Sequence, residues 1–143
     1  MIREVTQADA AGVLELLHQL WPEKVIQDDG LCEALSKYIA TPDYWIYGYE
    51  AEGALQAIIT VSFRWSLFYE GEAAIIEDLV VDEAHRGRGI GAALVSFAEE
   101  KIIADGKAKA VEVNSDLHRV DTHDFWEECG YSKLAFQFRK EMR

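Results

Sequence analysis

The sequence contains few cysteines, few prolines and no long apolar run. Its 143 residues include two prolines and two cysteines, Cys32 and Cys129. Two distant cysteines behind a polar amino terminus favour free thiols and a cytoplasmic location over a disulfide scaffold. No stretch reaches the roughly 18 apolar residues that a membrane span needs, so we expect no membrane partner.

Basic residues are also scarce relative to acidic ones. Lys and Arg total 14 against 26 Asp and Glu, which gives a formal net charge of −12. Such a charge repels a phosphate backbone, so it excludes a nucleic-acid partner and favours cationic small molecules. An acidic surface that only keeps the protein in solution explains the charge equally well. The four histidines lack the spacing of zinc ligands with either cysteine, so no metal site is predicted.

The length and a hydrophobic content of 50% fit one globular domain over residues 1–143. Apolar residues spaced by three and four predict four helices: 8–21, a second capped by Asp28 or Asp29 and ending before Pro42, about 89–105, and 121–129. Alternation predicts strands at 2–6, from 44 onward, 55–67, 73–81, 108–114 and 133–141. We expect the strand over 55–67 to bury one face only. The strand–helix–strand order over 73–114 implies a parallel pair, and hence an α/β fold with a mixed sheet.

The most informative segment is the basic loop Arg86-Gly87-Arg88-Gly89-Ile90-Gly91, which joins an apolar strand to a helix. Glycines allow a tight turn that brings backbone N–H groups close to an anion, and the start of a helix adds further donors. The spacing matches neither a P-loop nor a dinucleotide-binding fingerprint. The loop therefore predicts a pyrophosphate site, and a simple tight turn is the weaker alternative.

This loop resembles the Arg/Gln-x-x-Gly-x-Gly/Ala pattern of the GNAT superfamily of acetyl-CoA-dependent N-acetyltransferases. The resemblance implies a single-domain α/β fold whose mixed central sheet has splayed parallel strands and about four helices. It also implies acetyl-CoA as cosubstrate, with its pyrophosphate on the loop amides and its pantetheine arm along the preceding strand. The residues that it implicates in cofactor binding are Leu79, Val80, Val81, Arg86, Gly87, Arg88, Gly89, Ile90, Gly91, Ala92, Arg119 and Trp126.

Acetyl transfer requires a group that takes a proton from the attacking amine. Glu77 and Asp78 are adjacent on the strand before the loop, and alternation places their side chains on opposite faces. By resemblance, Glu77 is the candidate to bind or deprotonate the amine; the alternative is a carboxylate satisfied by a bulge or a neighbouring arginine. Trp21 and Trp65 are candidates to line the acceptor pocket, and the alternative is that such aromatic side chains belong to the core or a dimer interface.

The resemblance thus implies an N-acetyltransferase that acts by direct attack of a primary amine in a ternary complex. The acidic composition favours a small cationic acceptor. The alternatives are a protein or peptide amine as acceptor, and a non-catalytic acyl-CoA-binding module. Similar proteins commonly form homodimers, so a homodimer is expected here as well.

The segment from His118 to Tyr131 resembles the second cofactor motif of the family, with two departures. Thr122 in place of alanine is mild. Trp126 stands where many members have a tyrosine proposed to protonate the leaving thiolate, and an indole N–H is not a usable acid near neutral pH. Water could protonate the thiolate, another group could replace the phenol, or catalysis could be lost with CoA binding kept. The first is favoured because general-acid help contributes only ~10²–10⁴-fold.

The missing phenol predicts slow turnover with an intact cofactor site. Restoring a phenol in Trp126→Tyr should then raise the rate of acetyl transfer at saturating substrate, within the ~10²–10⁴-fold that a general acid contributes. Release of free CoA thiol measures this rate. If the variant is no faster than the native chain, the account based on a missing acid is wrong.

Overall fold

The computed structural model describes residues 1–115 and 120–142, and these form one five-stranded sheet with helices on both faces. The strands are β1 (Ile2–Glu4), β2 (Tyr44–Ala51), β3 (Ala54–Ser66), β4 (Gly71–Val81) and β5 (Ala108–Val113). The helices are α1 (Ala10–Leu20), α2 (Asp28–Ala40), α3 (Ile90–Asp105) and α4 (Val120–Glu128). The predicted α/β fold with a mixed sheet and four helices is confirmed.

The strands lie in the sheet in their chain order, and only the last pair is parallel. β1 to β4 form an antiparallel meander. The predicted turn between β2 and β3 is present, with Glu52 and Gly53 at φ values of 56° and 75°. Helix α3 connects β4 to β5 and ends at Gly106, whose φ of 77° suits a left-handed helix cap. The loop between β4 and α3 therefore lies at the carboxyl-terminal end of β4, where this parallel crossover begins.

Both faces of the sheet are covered, so the expectation that β3 buries only one face is wrong. Helix α3 packs on the face that carries Ile59 and Val61, whereas α1 and α2 pack on the face that carries Ile58. Gln56 and Thr60, which were expected on the solvent side, are 4% and 5% exposed. β3 is the middle strand of the sheet, so its side chains alternate in direction but both sets are buried.

The helices agree with the predicted ranges and differ in some buried and capping residues. In α1, Leu16 is fully buried and Leu14 only partly. Gln27 precedes the first turn of α2, whereas Asp28 and Asp29 lie within that turn, where carboxylates suit the helix dipole. None of the helices in the described part of the chain has the length and apolar character needed to cross a membrane.

The final strand predicted over residues 133–141 is not formed. After α4, residues 132–142 are in neither helix nor strand, and their side chains are exposed. Leu134, Phe136 and Phe138 alternate with other residues as in a strand, but strand structure requires a hydrogen-bonded neighbour. Within the residues described, this segment pairs with no strand of its own chain.

The buried face of α3 can be tested with one cavity-forming substitution. Leu94 is 0% exposed, so Leu94→Ala should lower the free energy of unfolding by about 2–5 kcal/mol. Ile103→Ala removes a similar side chain from the 76% exposed side of the same helix, and we expect a change below about 0.5 kcal/mol. Urea denaturation followed by circular dichroism measures both values. Equal losses in the two variants would contradict this orientation of α3.

Candidate active site

β4 and β5 pair over the first part of β4 and then separate. The last paired residues are Ile76 and Val113, and the N–H of Asn114 donates to the carbonyl of Ile76 over 3.0 Å. Beyond this point, residues 77–81 of β4 pair only with β3 among the described residues. The sheet therefore opens into a cleft, one wall of which is a strand edge.

The peptide groups of Leu79 and Val81 point into this cleft. The N–H of Asp82 donates to the carbonyl of Gln56 on β3 over 2.8 Å. Hydrogen-bonded and non-hydrogen-bonded pairs alternate between antiparallel strands, so Val81, the residue before Asp82, is in a non-hydrogen-bonded pair and its N–H and C=O point away from β3. Leu79, two residues earlier, has the same orientation. Val80 lies between them with its peptide groups towards β3 and a side chain that is 3% exposed.

The loop between β4 and α3 has the backbone of an anion cradle. Gly87 and Gly89 have φ values of 78° and 80°, in the left-handed region that favours glycine. Among the described atoms, a Cβ built on either glycine would meet nothing within 4 Å. α3 begins at Ile90, so its first N–H groups add donors at the same place. Arg86 Nε donates to the carbonyl of Val81 over 2.9 Å, which places a guanidinium between the cradle and the strand edge.

A side chain from α1 anchors the first residues of this loop. Gln19 donates from Nε2 to Asp82 Oδ1 over 2.8 Å and accepts at Oε1 from the N–H of Glu83 over 2.9 Å. His85 Nδ1 lies 2.7 Å from the other carboxylate oxygen of Asp82. The hydrogen bonds to Gln19 and then His85 lower the pKa of Asp82. Sequence reasoning missed Gln19, since 63 residues separate it from Asp82 and no local pattern marks such a contact.

Helix α4 packs beside the cradle. A Cβ built on Gly91 would lie 3.5 Å from Phe125 Cζ and 3.5 Å from Val81 Cγ2, which are ordinary contact distances, so α4 and β4 both lie against the start of α3. Trp126 is 6% exposed, and its ring centroid lies 5.1 Å from that of Phe125 and 5.4 Å from that of Tyr131. The indole of Trp126 therefore belongs to the hydrophobic core that supports the cleft.

A β-bulge lies where β4 leaves β5. The register between β3 and β4 shifts there, so that Glu77 and Asp78 of β4 together oppose Thr60 of β3. Thr60 Oγ1 donates to Asp78 Oδ2 over 2.7 Å and accepts from the N–H of Asp78 over 3.1 Å. A bulge re-aims side chains, so the alternation that predicted opposite faces for the two carboxylates is interrupted at this pair.

Both carboxylates act on a tyrosine of α2. Burial, followed by the charges of Glu77 and Asp78, raises the pKa of Tyr38 to about 12. The Tyr38 ring stacks on that of Tyr44, with centroids 5.0 Å apart. Burial raises the pKa of Asp78 against the effect of its bond with Thr60, and burial followed by the charge of Asp78 raises the pKa of Glu77. This group can bind an ammonium ion or accept its proton.

Sequence analysis did not single out Tyr38 or Thr60, because the bulge that gathers them depends on how β3 and β4 pair. The structure leaves the other two predicted acceptor residues, Trp21 and Trp65, exposed. Trp21 follows α1 and is 38% exposed. Trp65 is 80% exposed at the end of β3 and lies opposite Glu72 of β4. The distance along β4 from Glu72 to Glu77 is roughly 17 Å.

Arg119, a predicted cofactor residue, lies outside the described residues, as does His118. Within residues 1–115 and 120–142, no three His, Cys, Asp or Glu side chains are grouped so that they could hold a metal ion.

Comparison with known proteins yields a family match over most of the chain. The model of the family described as "Acetyltransferase (GNAT) family" matches residues 12–131, a span that contains β2 to β5 and the whole loop. Among solved structures, glucosamine-6-phosphate N-acetyltransferase of Arabidopsis thaliana superposes with a TM-score of 0.84 at 26% sequence identity. That superposition covers 100% of this chain and 98% of the other.

Two further relatives match by sequence. Aminoalkylphosphonate N-acetyltransferase of Salmonella typhimurium is 30% identical over 90 residues, which cover 63% of this chain and 58% of the relative. Aminoglycoside N(6')-acetyltransferase type 1 of Klebsiella aerogenes is 29% identical over 103 residues, which cover 69% of this chain and 68% of the relative. The match thus spans less than two thirds of the aminoalkylphosphonate protein.

The backbone of the cradle can be tested by comparing two of its glycines. Gly89→Ala forces a Cβ into a φ of 80°, which should cost roughly 1–2 kcal/mol in the free energy of unfolding. Gly91→Ala is the matched control, because its backbone is helical and a Cβ there would make contacts of ordinary length. We expect no loss from it, and a gain of up to about 1 kcal/mol from helix propensity. A loss in Gly91→Ala as large as that in Gly89→Ala would argue against this backbone.

Proposed function

Because the chain belongs to the acetyltransferase (GNAT) family, we propose that it transfers the acetyl group of acetyl-CoA to a primary amine of a small cationic molecule. One observation carries the proposal: the cleft beside β4 has an anion cradle at the end of the strand and two carboxylates at its bulge. A donor with a pyrophosphate and an acceptor with an ammonium group are complementary to these two regions. Both can bind at once, as direct transfer in a ternary complex requires.

The open edge and the cradle fit acetyl-CoA. The peptide groups of Leu79 and the N–H of Val81 point away from β3 and suit amide groups of an extended pantetheine arm, which would pair with them as an added strand does. The carbonyl of Val81 already accepts from Arg86 Nε. Gly87 and Gly89 leave the loop amides accessible to a pyrophosphate. When bound, the cosubstrate supplies an acetyl thioester. The residues that we assign to its binding are Leu79, Val80, Val81, Arg86, Gly87, Arg88, Gly89, Ile90, Gly91 and Ala92, with Trp126 as support from the core and Arg119 by family resemblance.

Glu77 is our candidate for the base. The ammonium ion first passes a proton to the Glu77 carboxylate, and the neutral amine nitrogen then forms a bond to the acetyl carbon. The carbon–sulfur bond breaks to release a thiolate, and the second proton of the nitrogen passes through water to this thiolate. Burial raises the pKa of Glu77 towards the working pH, where a carboxylate accepts a proton more effectively. Asp78 is held by Thr60 beside it, and its negative charge would attract and orient the incoming ammonium ion.

The class of acceptor follows from charge and aromatic surface. The stacked rings of Tyr38 and Tyr44 beside two carboxylates provide the groups that bind organic cations. The relatives are named for aminoalkylphosphonate, aminoglycoside and glucosamine-6-phosphate, which are small molecules with an amine. We therefore favour a small amine over a protein or peptide amine. That Trp21 and Trp65 line the acceptor pocket stays a prediction.

A non-catalytic acyl-CoA-binding module is the second candidate. It is favoured by Trp126, a core side chain at the position where the resemblance places a tyrosine acid. Such a module would bind acetyl-CoA without an amine-dependent reaction. For either candidate we propose a cytoplasmic location, because Cys32 and Cys129 are free thiols.

Glu77→Gln separates these two candidates. The variant should lower amine-dependent release of CoA thiol by about 10²–10⁴-fold, because the amide cannot accept the proton. Stabilisation of the fold by acetyl-CoA should persist. The rate of the native chain should rise with pH through the raised pKa of Glu77, since only its carboxylate form accepts a proton, and this dependence should be absent in the variant.

A colorimetric thiol assay over polyamines, aminoglycosides, amino acids and a basic peptide measures the reaction. Glu100→Gln, at an exposed position of α3, is the matched control and should keep the native rate. Stabilisation by acetyl-CoA without thiol release for any amine would favour the binding module instead. Native rates in Glu77→Gln would rule out Glu77 as the base.

A further inference from the structure

The loop between β4 and α3 has little apolar packing of its own. Val80 before it and Ile90 after it are buried. Of residues 81–89, all of which the structure describes, none is buried, and residues 86–89 are exposed. Segments with few buried apolar contacts open easily unless other interactions hold them. The conformation of this loop therefore depends on its hydrogen bonds.

Some of these hydrogen bonds are local. The N–H of His85 donates to the carbonyl of Asp82 over 2.8 Å, and the His85 ring meets the carboxylate of the same residue. Arg86 Nε donates to the carbonyl of Val81. These bonds join residues at most five positions apart, so they shape the loop without fixing it against the rest of the molecule.

Gln19 of α1 supplies a connection to a distant part of the chain. Its side-chain amide donates to the Asp82 carboxylate over 2.8 Å and accepts from the N–H of Glu83 over 2.9 Å. The two bonds hold adjacent residues at the start of the loop, 63 and 64 positions from Gln19. They therefore fix the direction in which the chain leaves β4 for the cradle.

Helix α1 is a firm support for this amide. Leu16 and Leu20, on either side of Gln19 in the helix, are buried in a core cluster. The same cluster contains Ile58 of β3 and Val80 of β4, so α1 packs on the strand that leads into the loop. A polar group on a packed helix positions its partner more precisely than one on a mobile loop.

An amide is the side chain that both bonds require. The Asp82 carboxylate only accepts and the Glu83 N–H only donates, so their common partner must donate at one atom and accept at another. A glutamate in place of Gln19 would have the same size but two acceptor oxygens. One of them would face the Asp82 carboxylate, and the two like charges would repel each other.

We propose that Gln19 is a positioning residue that holds the loop between β4 and α3 in its anion-binding conformation before acetyl-CoA arrives. This inference rests on the proposed function, in which the loop amides bind the pyrophosphate. A loop held in advance does not have to be ordered by its ligand. Without Gln19, only a fraction of the molecules presents the cradle, and the apparent dissociation constant rises in inverse proportion to that fraction.

Gln19→Glu tests this role. The dissociation constant of CoA, measured by isothermal titration calorimetry, should rise about tenfold, since the loss of one net hydrogen bond, about 1.4 kcal/mol, corresponds to that factor. The KM for acetyl-CoA should rise similarly, whereas kcat and the KM for the amine should stay within about twofold of native. A merely structural role would lower kcat through loss of folded enzyme and leave the KM for acetyl-CoA unchanged.

A second substitution reverses the polarity of the contact. In Gln19→Glu/Asp82→Asn, the amide introduced at position 82 can donate to the carboxylate at position 19 and accept from the His85 ring. That carboxylate can still accept from the N–H of Glu83. The affinity for CoA should return to within about twofold of native, because interacting sites are not additive. Gln27→Glu is the matched control: it makes the same chemical change at an exposed position before α2 and should keep the native affinity.

Hydrogen–deuterium exchange of the free chain tests the loop without any ligand. Amides of residues 83–89 should exchange faster in Gln19→Glu than in the native chain and return to the native rate in the double variant. Circular dichroism checks that all variants are folded. Equal exchange in Gln19→Glu and the native chain, an unchanged affinity for CoA, or a loss that Asp82→Asn does not repair would overturn the proposal. A native chain that does not bind CoA would contradict the proposed function instead, and the exchange rates would still decide the role of Gln19.

Discussion

The separation of β4 from β5 is the constraint on which the rest of the site depends. Peptide groups of a buried strand need hydrogen-bond partners, yet residues 79–81 pair with a strand on one side only in the described part of the chain. On the open side, the carbonyl of Val81 accepts from Arg86 Nε and the peptide groups of Leu79 face the cleft. The bulge at Glu77 and Asp78 lies where the separation begins. The bulge in β4 therefore sets both the open strand edge and the position of the carboxylates.

Acidic and basic side chains are grouped in different regions of the molecule. A net charge of −12 disfavours anions near most of the surface, but fields in salt solution decay within ~10 Å. The cradle carries Arg86 and Arg88 and is locally basic, whereas Glu77 and Asp78 make the bulge of β4 acidic. The overall charge thus disfavours a nucleic-acid groove but does not oppose a small anion at the cradle.

Features that depend on neighbours in the chain could be predicted from the sequence. The glycine loop, the burial of one face of α3 and the parallel crossover all follow from local periodicity and backbone preference. Features that depend on distant partners could not. The alternation in β3 does not show that helices cover both of its faces, and the alternation at 133–141 does not show whether a neighbouring strand exists.

The sequence by itself determined the order of the elements through α4, the family and the cradle, because each of these is written in short-range spacing and in glycines that permit positive φ. Only the tertiary structure decided that Glu77 and Asp78 share a bulge opposite Thr60, that Tyr38 joins them, and that Gln19 anchors the loop. These contacts join residues 17 to 63 positions apart in the chain. Strand register and helix packing settle such contacts, because both depend on the whole sheet rather than on any one segment.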